Sequence, residues 1–253
     1  MLRTRVMPCL LLDNGSLVKT VRFKKYNYIG DPINAVRIYN EFEVDELLLL
    51  DIKAGIEKKE PDYKLIEEIA GECFMPLSYG GGINNIKQIE RLFNIGVEKV
   101  SINSAAYRNN ALIKDASENF GSQSIIISMD VKNNIFGKRK VCIDSGKKIT
   151  RTDPVLYSFK MQQLGAGEIL INSIDRDGTW KGYDIDLIKS VSDKVDIPVI
   201  ACGGAANISD FEKAVKNAGA SSVAAGSMFV YQGKDLGVLI NFPEREILEK
   251  SLI

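Results

Sequence analysis

A near-repeat at a spacing of 122 residues constrains this chain more than any other feature. Pro76-Leu77-Ser78-Tyr79-Gly80-Gly81-Gly82, followed by Asn85, Ile86 and Glu90, is matched by Pro198-Val199-Ile200-Ala201-Cys202-Gly203-Gly204, followed by Asn207, Ile208 and Glu212 (198 − 76 = 122). Glu46 and Glu168 stand at the same offset, each opening an apolar run. Self-similarity at a fixed period is settled before any local reading, because it decides the whole fold. Each half holds strand, glycine turn and helix, several times over. Two such halves predict one closed α/β barrel with two similar sites on its rim.

Eight short apolar runs recur: Arg5 to Leu12, Glu46 to Ile52, Met75 to Tyr79, Lys99 to Ile102, Ile125 to Asp130, Glu168 to Asn172, Pro198 to Ala201, and Ser222 to Ala225. They do not alternate with polar residues, as expected of parallel strands buried on both faces. Between them lie amphipathic stretches. One starts at Asp31-Pro32; others cover Tyr63 to Cys73, Asn85 to Ile95, Asn109 to Asn119, Asp153 to Leu164, Asp184 to Ser192 and Asn207 to Ala218. Alternating strands and helices imply right-handed crossovers. An open doubly wound sheet is the rival, but the first strand ends in Leu11-Leu12-Asp13-Asn14-Gly15, without the glycine fingerprint of that class. The expectation is a (β/α)8 TIM barrel in a single domain over residues 1–253, with half-barrels of about 1–122 and 123–253. Two long connections, Asn14 to Gly30 and Val131 to Thr150, are read as lids or as solvated hairpins.

Lysine plus arginine and aspartate plus glutamate balance at 33 each, so no global field draws nucleic acid or a membrane. There is no histidine, the commonest general base and metal ligand. Cys9, Cys73, Cys142 and Cys202 show no metal-binding spacing, so neither a metal nor another cofactor is expected. Reduced thiols suit a cytoplasmic enzyme. The apolar start, Met1 to Leu12, runs into Asp13-Asn14-Gly15 and reads as strand and turn, not a signal peptide.

Ligand chemistry in this fold sits at the C-terminal strand ends. Gly80-Gly81-Gly82 ends the third strand and Gly203-Gly204 the seventh, each before a helix. Asn103-Ser104 and Ala225-Gly226-Ser227 follow the neighbouring strands. Glycines let backbone N–H groups crowd an anion, and a helix N-terminus adds its dipole. The simpler reading is that they permit tight turns. Two symmetric copies suit a long ligand with a phosphate at each end.

Val6-Met7-Pro8-Cys9-Leu10, Gly30-Asp31-Pro32, Leu50-Asp51-Ile52, Gly80-Gly81-Gly82-Ile83, Val100-Ser101-Ile102-Asn103, Gly165-Ala166-Gly167-Glu168 and Ser173-Ile174-Asp175-Arg176-Asp177-Gly178-Thr179 together resemble the cyclase subunit of imidazole glycerol phosphate synthase, over essentially the whole chain. The resemblance implies a glutaminase partner at the barrel bottom and ammonia delivered through the barrel. It implies phosphate contacts at Gly82, Asn103 and Ser104 on one side, and at Asp177, Gly178, Gly204, Gly226 and Ser227 on the other. Lys19 and Asp51 face the mouth by position.

One departure stands out. The family pairs two aspartates as acid and base. Asp130 keeps the copy on the fifth strand, but the family's Pro-Cys-Leu-Asp on the first strand reads Pro8-Cys9-Leu10-Leu11 here. Leucine exchanges no proton, and losing a positioned acid or base costs roughly a hundred- to ten-thousand-fold in rate. Asp13, two residues on, is the candidate substitute.

The resemblance also implies a salt-bridged ammonia gate of Arg5, Glu46, Lys99 and Glu168 at the strand starts, with Glu98 facing the glutaminase. Charged strand starts are common, so each alone says little; two cations and two anions at one level neutralise each other. A retained bottom with an altered top resembles a branch of the family tied to surface polysaccharides. There a cyclase-like barrel and a glutaminase-like partner are thought to supply ammonia to a sugar amidotransferase that makes acetamidino sugars. The alternatives are an active cyclase of histidine biosynthesis, a related sugar-phosphate isomerase, and a binding protein for a phosphorylated metabolite.

Overall fold

A computed structural model describes residues 3–252; Met1, Leu2 and Ile253, at the ends of the expected half-barrels, lie outside them. Eight strands form the central sheet: β1 (Arg5–Asp13), β2 (Leu47–Asp51), β3 (Leu77–Gly80), β4 (Lys99–Ile102), β5 (Ile125–Asn133), β6 (Glu168–Ser173), β7 (Val199–Cys202) and β8 (Ser222–Ala225). Each pairs in parallel with the next. β8 returns to β1 through Arg5↔Ser222 and Met7↔Ala224, closing a (β/α)8 TIM barrel. In the ring β5 lies four strands from β1, on the opposite wall.

The absence of alternation in the strands has its cause in this closure. Val6, Leu47, Leu49, Val100, Ile127 and Ile171 point outward into one cluster against the helices. Met7, Leu48, Ile126, Leu170, Ile200 and Ala224, all 0% exposed, fill the barrel axis. Residues two apart share a face, so both faces are apolar and neither meets water.

The outer layer comprises α1 (Pro32–Glu41), α2 (Tyr63–Glu72), α3 (Ile86–Asn94), α4 (Ala111–Phe120), α5 (Pro154–Gln163), α6 (Ile185–Ser192), α7 (Ile208–Glu212) and α8 (Arg245–Leu252). The start signals are local. Asp31, Asp62, Asn85, Asp153, Asp184 and Asn207 each accept a backbone N–H from the first turn that follows. The stretch expected to be helical from Asn207 to Ala218 is α-helical only over Ile208–Glu212; it widens into a π-helical turn at Lys213–Asn217. Among the described residues no helix is long and apolar enough to cross a membrane.

Both long connections fold as hairpins. Ser16–Val21 pairs with β1 and with Lys24–Gly30; Arg139–Ile143 pairs with the end of β5 and with Lys148–Ile149. Both lean over the rim at the C-terminal strand ends.

Candidate functional site

The strand ends surround a mouth cavity of about 380 Å³. Leu11, Lys19, Asp51, Gly82, Asn103, Ser104, Asp130, Asp177, Gly178, Gly204, Gly226 and Ser227 all line it. The glycine turns are built alike. Gly82 and Gly204 adopt φ of 71° and 111°, which disfavour any side chain. A Cβ on Gly82 would lie 2.7 Å from the Lys59 carbonyl. Beyond each turn the cap is also duplicated. Asn84 N–H donates to Gln88 Oε1 at 2.8 Å, and Ala206 N–H donates to Asp210 Oδ2 at 3.0 Å, one repeat later.

Asp130 is buried on β5, across the barrel from Leu11. Its Oδ2 accepts from Asn103 Nδ2 at 3.0 Å, and the same amide donates to the Ser128 carbonyl at 2.9 Å. Burial pushes its pKa up to about 7, Asp177 adds to the rise, and the Asn103 and Asn172 amides oppose it. A carboxyl half-protonated near neutrality suits a group that gives and takes a proton.

This shift also sets a pH dependence. An acid that holds its proton more tightly folded than unfolded favours the folded chain most at low pH. Stability then falls as pH rises from the unfolded value of 3.8 towards about 7, and levels off above. Asp130→Asn is expected to remove that decline. The variant gains on the order of 3 kcal/mol relative to wild type between about pH 4 and about pH 8. Urea unfolding across this range measures it; parallel curves would show that Asp130 is not strained by its burial.

Leu11 contributes only hydrocarbon; it packs with Leu50 against the axial cluster that includes Cys9 and Cys202. Asp13 does not line the mouth. Its carboxylate accepts from Asn14 Nδ2 at 2.8 Å and lies 3.7 Å from Lys53 Nζ. The two-residue step along the strand carries it past the rim, so it does not take the place opposite Asp130. Asp51 does reach the mouth, but one oxygen already accepts the Lys53 and Ala54 N–H groups at 2.8 Å each, capping a short turn. Burial raises its pKa against those two bonds.

The hairpin Ser16–Val21/Lys24–Gly30 is pinned over the Asp175–Gly178 loop that follows β6. Lys19 Nζ sits 2.8 Å from Asp177 Oδ1, both buried, and Arg22 N–H donates to the Asp177 carbonyl at 2.9 Å. Burial disfavours the Lys19 charge, but Asp177 outweighs it and the ammonium stays charged. The Asp177 carboxylate is thereby occupied, leaving backbone N–H groups of the turn and the Ser227 hydroxyl for an anion. The other hairpin mirrors this arrangement. Asp144 N–H donates to Ser104 Oγ at 2.9 Å, and Ser145 Oγ donates to the Ile52 carbonyl at 3.0 Å.

At the opposite barrel end, four charges form a closed ring. Arg5 contacts Glu46 at 2.5 Å and Glu168 at 2.8 Å; Lys99 contacts the same two carboxylates at 2.9 Å each. Ser78 Oγ donates to Glu46 Oε1 at 2.6 Å, and Arg5 Nε donates to Ser222 Oγ at 3.0 Å. Every carboxylate thus meets both cations, which is what a largely desolvated set requires. Glu98, next to Lys99, is exposed on this same end.

Four contributors were missed in the sequence. Ser78 and Ser222 complete the ring. Ser101 Oγ and Asn172 Oδ1 are buried without a partner, and both residues line the mouth cavity. Counting in twos from Lys99 and from Glu168 reaches Ser101 and Asn172, so the strand period carried that signal.

The chain matches the model of the family described as "Histidine biosynthesis protein" over residues 5–235. It is 49% identical, over 96% of its length and 97% of the relative's, to a protein of Pseudomonas aeruginosa with the provisional name imidazole glycerol phosphate synthase subunit hisF2. A Vibrio vulnificus protein provisionally named as subunit hisF3 of that synthase is 47% identical over 100% of this chain and 97% of its own. A Leptospira interrogans protein provisionally named as the HisF subunit is 46% identical over 97% of each chain.

Proposed function

Because the chain belongs to the histidine biosynthesis protein family, in the cyclase-subunit line of imidazole glycerol phosphate synthase, we propose that it conducts ammonia from a glutaminase subunit docked at the ring end to the mouth, and that cyclisation is no longer its main task. One contrast carries this reading: the ring of Arg5, Glu46, Lys99 and Glu168 is complete, while the wall facing Asp130 carries Leu11.

The physical logic runs from bottom to top. Ammonium is turned away by the cost of carrying a charge through the apolar axis. Neutral ammonia bears no such penalty. Met7, Leu48, Ile126, Leu170 and Ile200 pack that axis, so passage needs brief side-chain displacement after the ring opens. Ser101 and Asn172 stand beyond it with unpaired oxygens that accept N–H bonds. Asp130 is left at the exit without a carboxyl facing it from β1. The reading has Glu98 on the glutaminase contact, the two glycine turns holding a phosphorylated ligand, and a sugar amidotransferase of acetamidino-sugar synthesis as the acceptor of the nitrogen.

The test is co-purification with a glutaminase encoded beside this chain, followed by a feed of amide-labelled glutamine. Label in a sugar supports the proposal. Turnover of ammonium with the phosphoribulosyl aminoimidazole substrate at ordinary cyclase rates overturns it in favour of a histidine-biosynthetic cyclase.

A further inference from the structure

Beside the mouth, against the Gly178–Lys181 segment that follows β6, a second cleft of about 800 Å³ opens. Arg22, Lys24, Lys25, Lys132, Lys181 and Lys234 line it, against the carboxylates of Asp175 and Asp235 alone. The whole chain has a formal net charge of +0, so this is a local excess of cations. Among the described residues none of these six makes an ion pair, and Asp175 Oδ2 already accepts the Asn133 N–H at 2.9 Å. Like charges gathered in one concavity repel each other until an anion enters.

The walls are held in place. Arg22 and Phe23 form the hairpin tip at φ of 52° and 60°, and Lys25 follows at 53°. A two-residue turn of this hand normally takes Asn-Gly. Side chains kept in such strained positions point to a task rather than to folding convenience. Arg22 Nε donates to the Asp175 carbonyl at 3.2 Å, fixing the tip to the rim. On the other wall Trp180, the chain's one tryptophan, is half-buried with φ of 58° beside Lys181.

We infer that this cleft binds a nucleoside diphosphate group. The cations take the two phosphates and the Trp180 ring takes the base. A concave site of this volume with a few convergent polar groups fits a small ligand better than a protein surface. Stacking on an aromatic ring tolerates any base. The cleft shares Thr20, Gly178, Ser227 and the Asp177-paired Lys19 with the mouth, so a sugar carried on the diphosphate reaches the barrel exit. The inference stands whether or not ammonia passes through the barrel.

Trp180 reports on its own site. Titration of the whole protein with uridine diphosphate and with adenosine diphosphate is expected to change its fluorescence saturably, with dissociation constants below about 1 mM. Added salt weakens both. The Lys24→Ala/Lys234→Ala double variant is expected to bind at least about tenfold more weakly, and Trp180→Leu, followed by calorimetry, several-fold more weakly. Asn103→Ala, at the far turn of the mouth, leaves the affinity unchanged. No saturable signal or heat up to about 10 mM overturns the inference. So does equal affinity for inorganic pyrophosphate that Trp180→Leu does not alter, which would mean an anion site without a nucleoside. Binding lost in Asn103→Ala but kept in the lysine variant would place the ligand in the mouth. Capture of polyglutamate in preference to either nucleotide would make the cleft a protein-docking face.

Discussion

Leu11→Asp is expected to raise cyclisation of the phosphoribulosyl aminoimidazole substrate by roughly a hundred- to ten-thousand-fold over wild type, with ammonium as nitrogen source. The geometry for it is in place. Position 11 faces the mouth from β1, on the wall opposite Asp130, and both glycine turns line the same cavity. Asp130 alone handles protons at one end of a long substrate; a second carboxyl serves the other. The new acid sits among Leu50, Cys9 and Cys202, so it costs about 1–3 kcal/mol in stability. Its pKa will rise with that of Asp130, two carboxyls in one cavity resisting double ionisation. Leu11→Asn separates shape from proton exchange and is expected to stay near wild type. A folded Leu11→Asp protein with no gain would show that more than one carboxylate divides this chain from an active cyclase.

Glu46→Ala is expected to lower stability by about 3 kcal/mol, because it leaves two half-buried cations facing a single carboxylate. Glu46 is 2% exposed and accepts from Arg5, Lys99 and Ser78, so its removal takes a partner from three donors at once. At this chain length each kcal/mol moves the melting temperature by about 2–4 °C, a total of roughly 6–12 °C. Lys99→Met is expected to be milder, since Arg5 still bridges both glutamates. Calorimetry of the two variants distinguishes a coupled ring from four independent surface charges. Equal, small losses near 1 kcal/mol would indicate the latter.

The barrel was readable because its cause is local: runs apolar on both faces, capped helices between them, and a repeat that forces closure. The glycine turns and the charges at the strand starts were readable for the same reason. Leu11 was readable because one side chain replaced another on a strand of known direction. The fate of Asp13 was not, since its pairing with Lys53 depends on where the chain turns after β1. The hairpins were left open between lid and solvated ribbon, because their anchors, Asp177 and Ser104, are far away in sequence. The cleft was invisible for that reason too. Its cations come from four separate stretches and meet only once the hairpin tip, the end of β5 and the segments after β6 and β8 are assembled. The π-helical turn after α7 leaves no mark in the residue pattern.

The two hairpins exchange custody. The ribbon that leaves β1 fastens onto Asp177, which belongs to the later half of the chain, while the ribbon that leaves β5 fastens onto Ser104 and Ile52 in the earlier half. Each half therefore supplies the latch for its sibling's pocket and lacks one for its own. An ancestor of half this length would have needed a twin to close over any ligand, and once joined, neither part was free to drift alone.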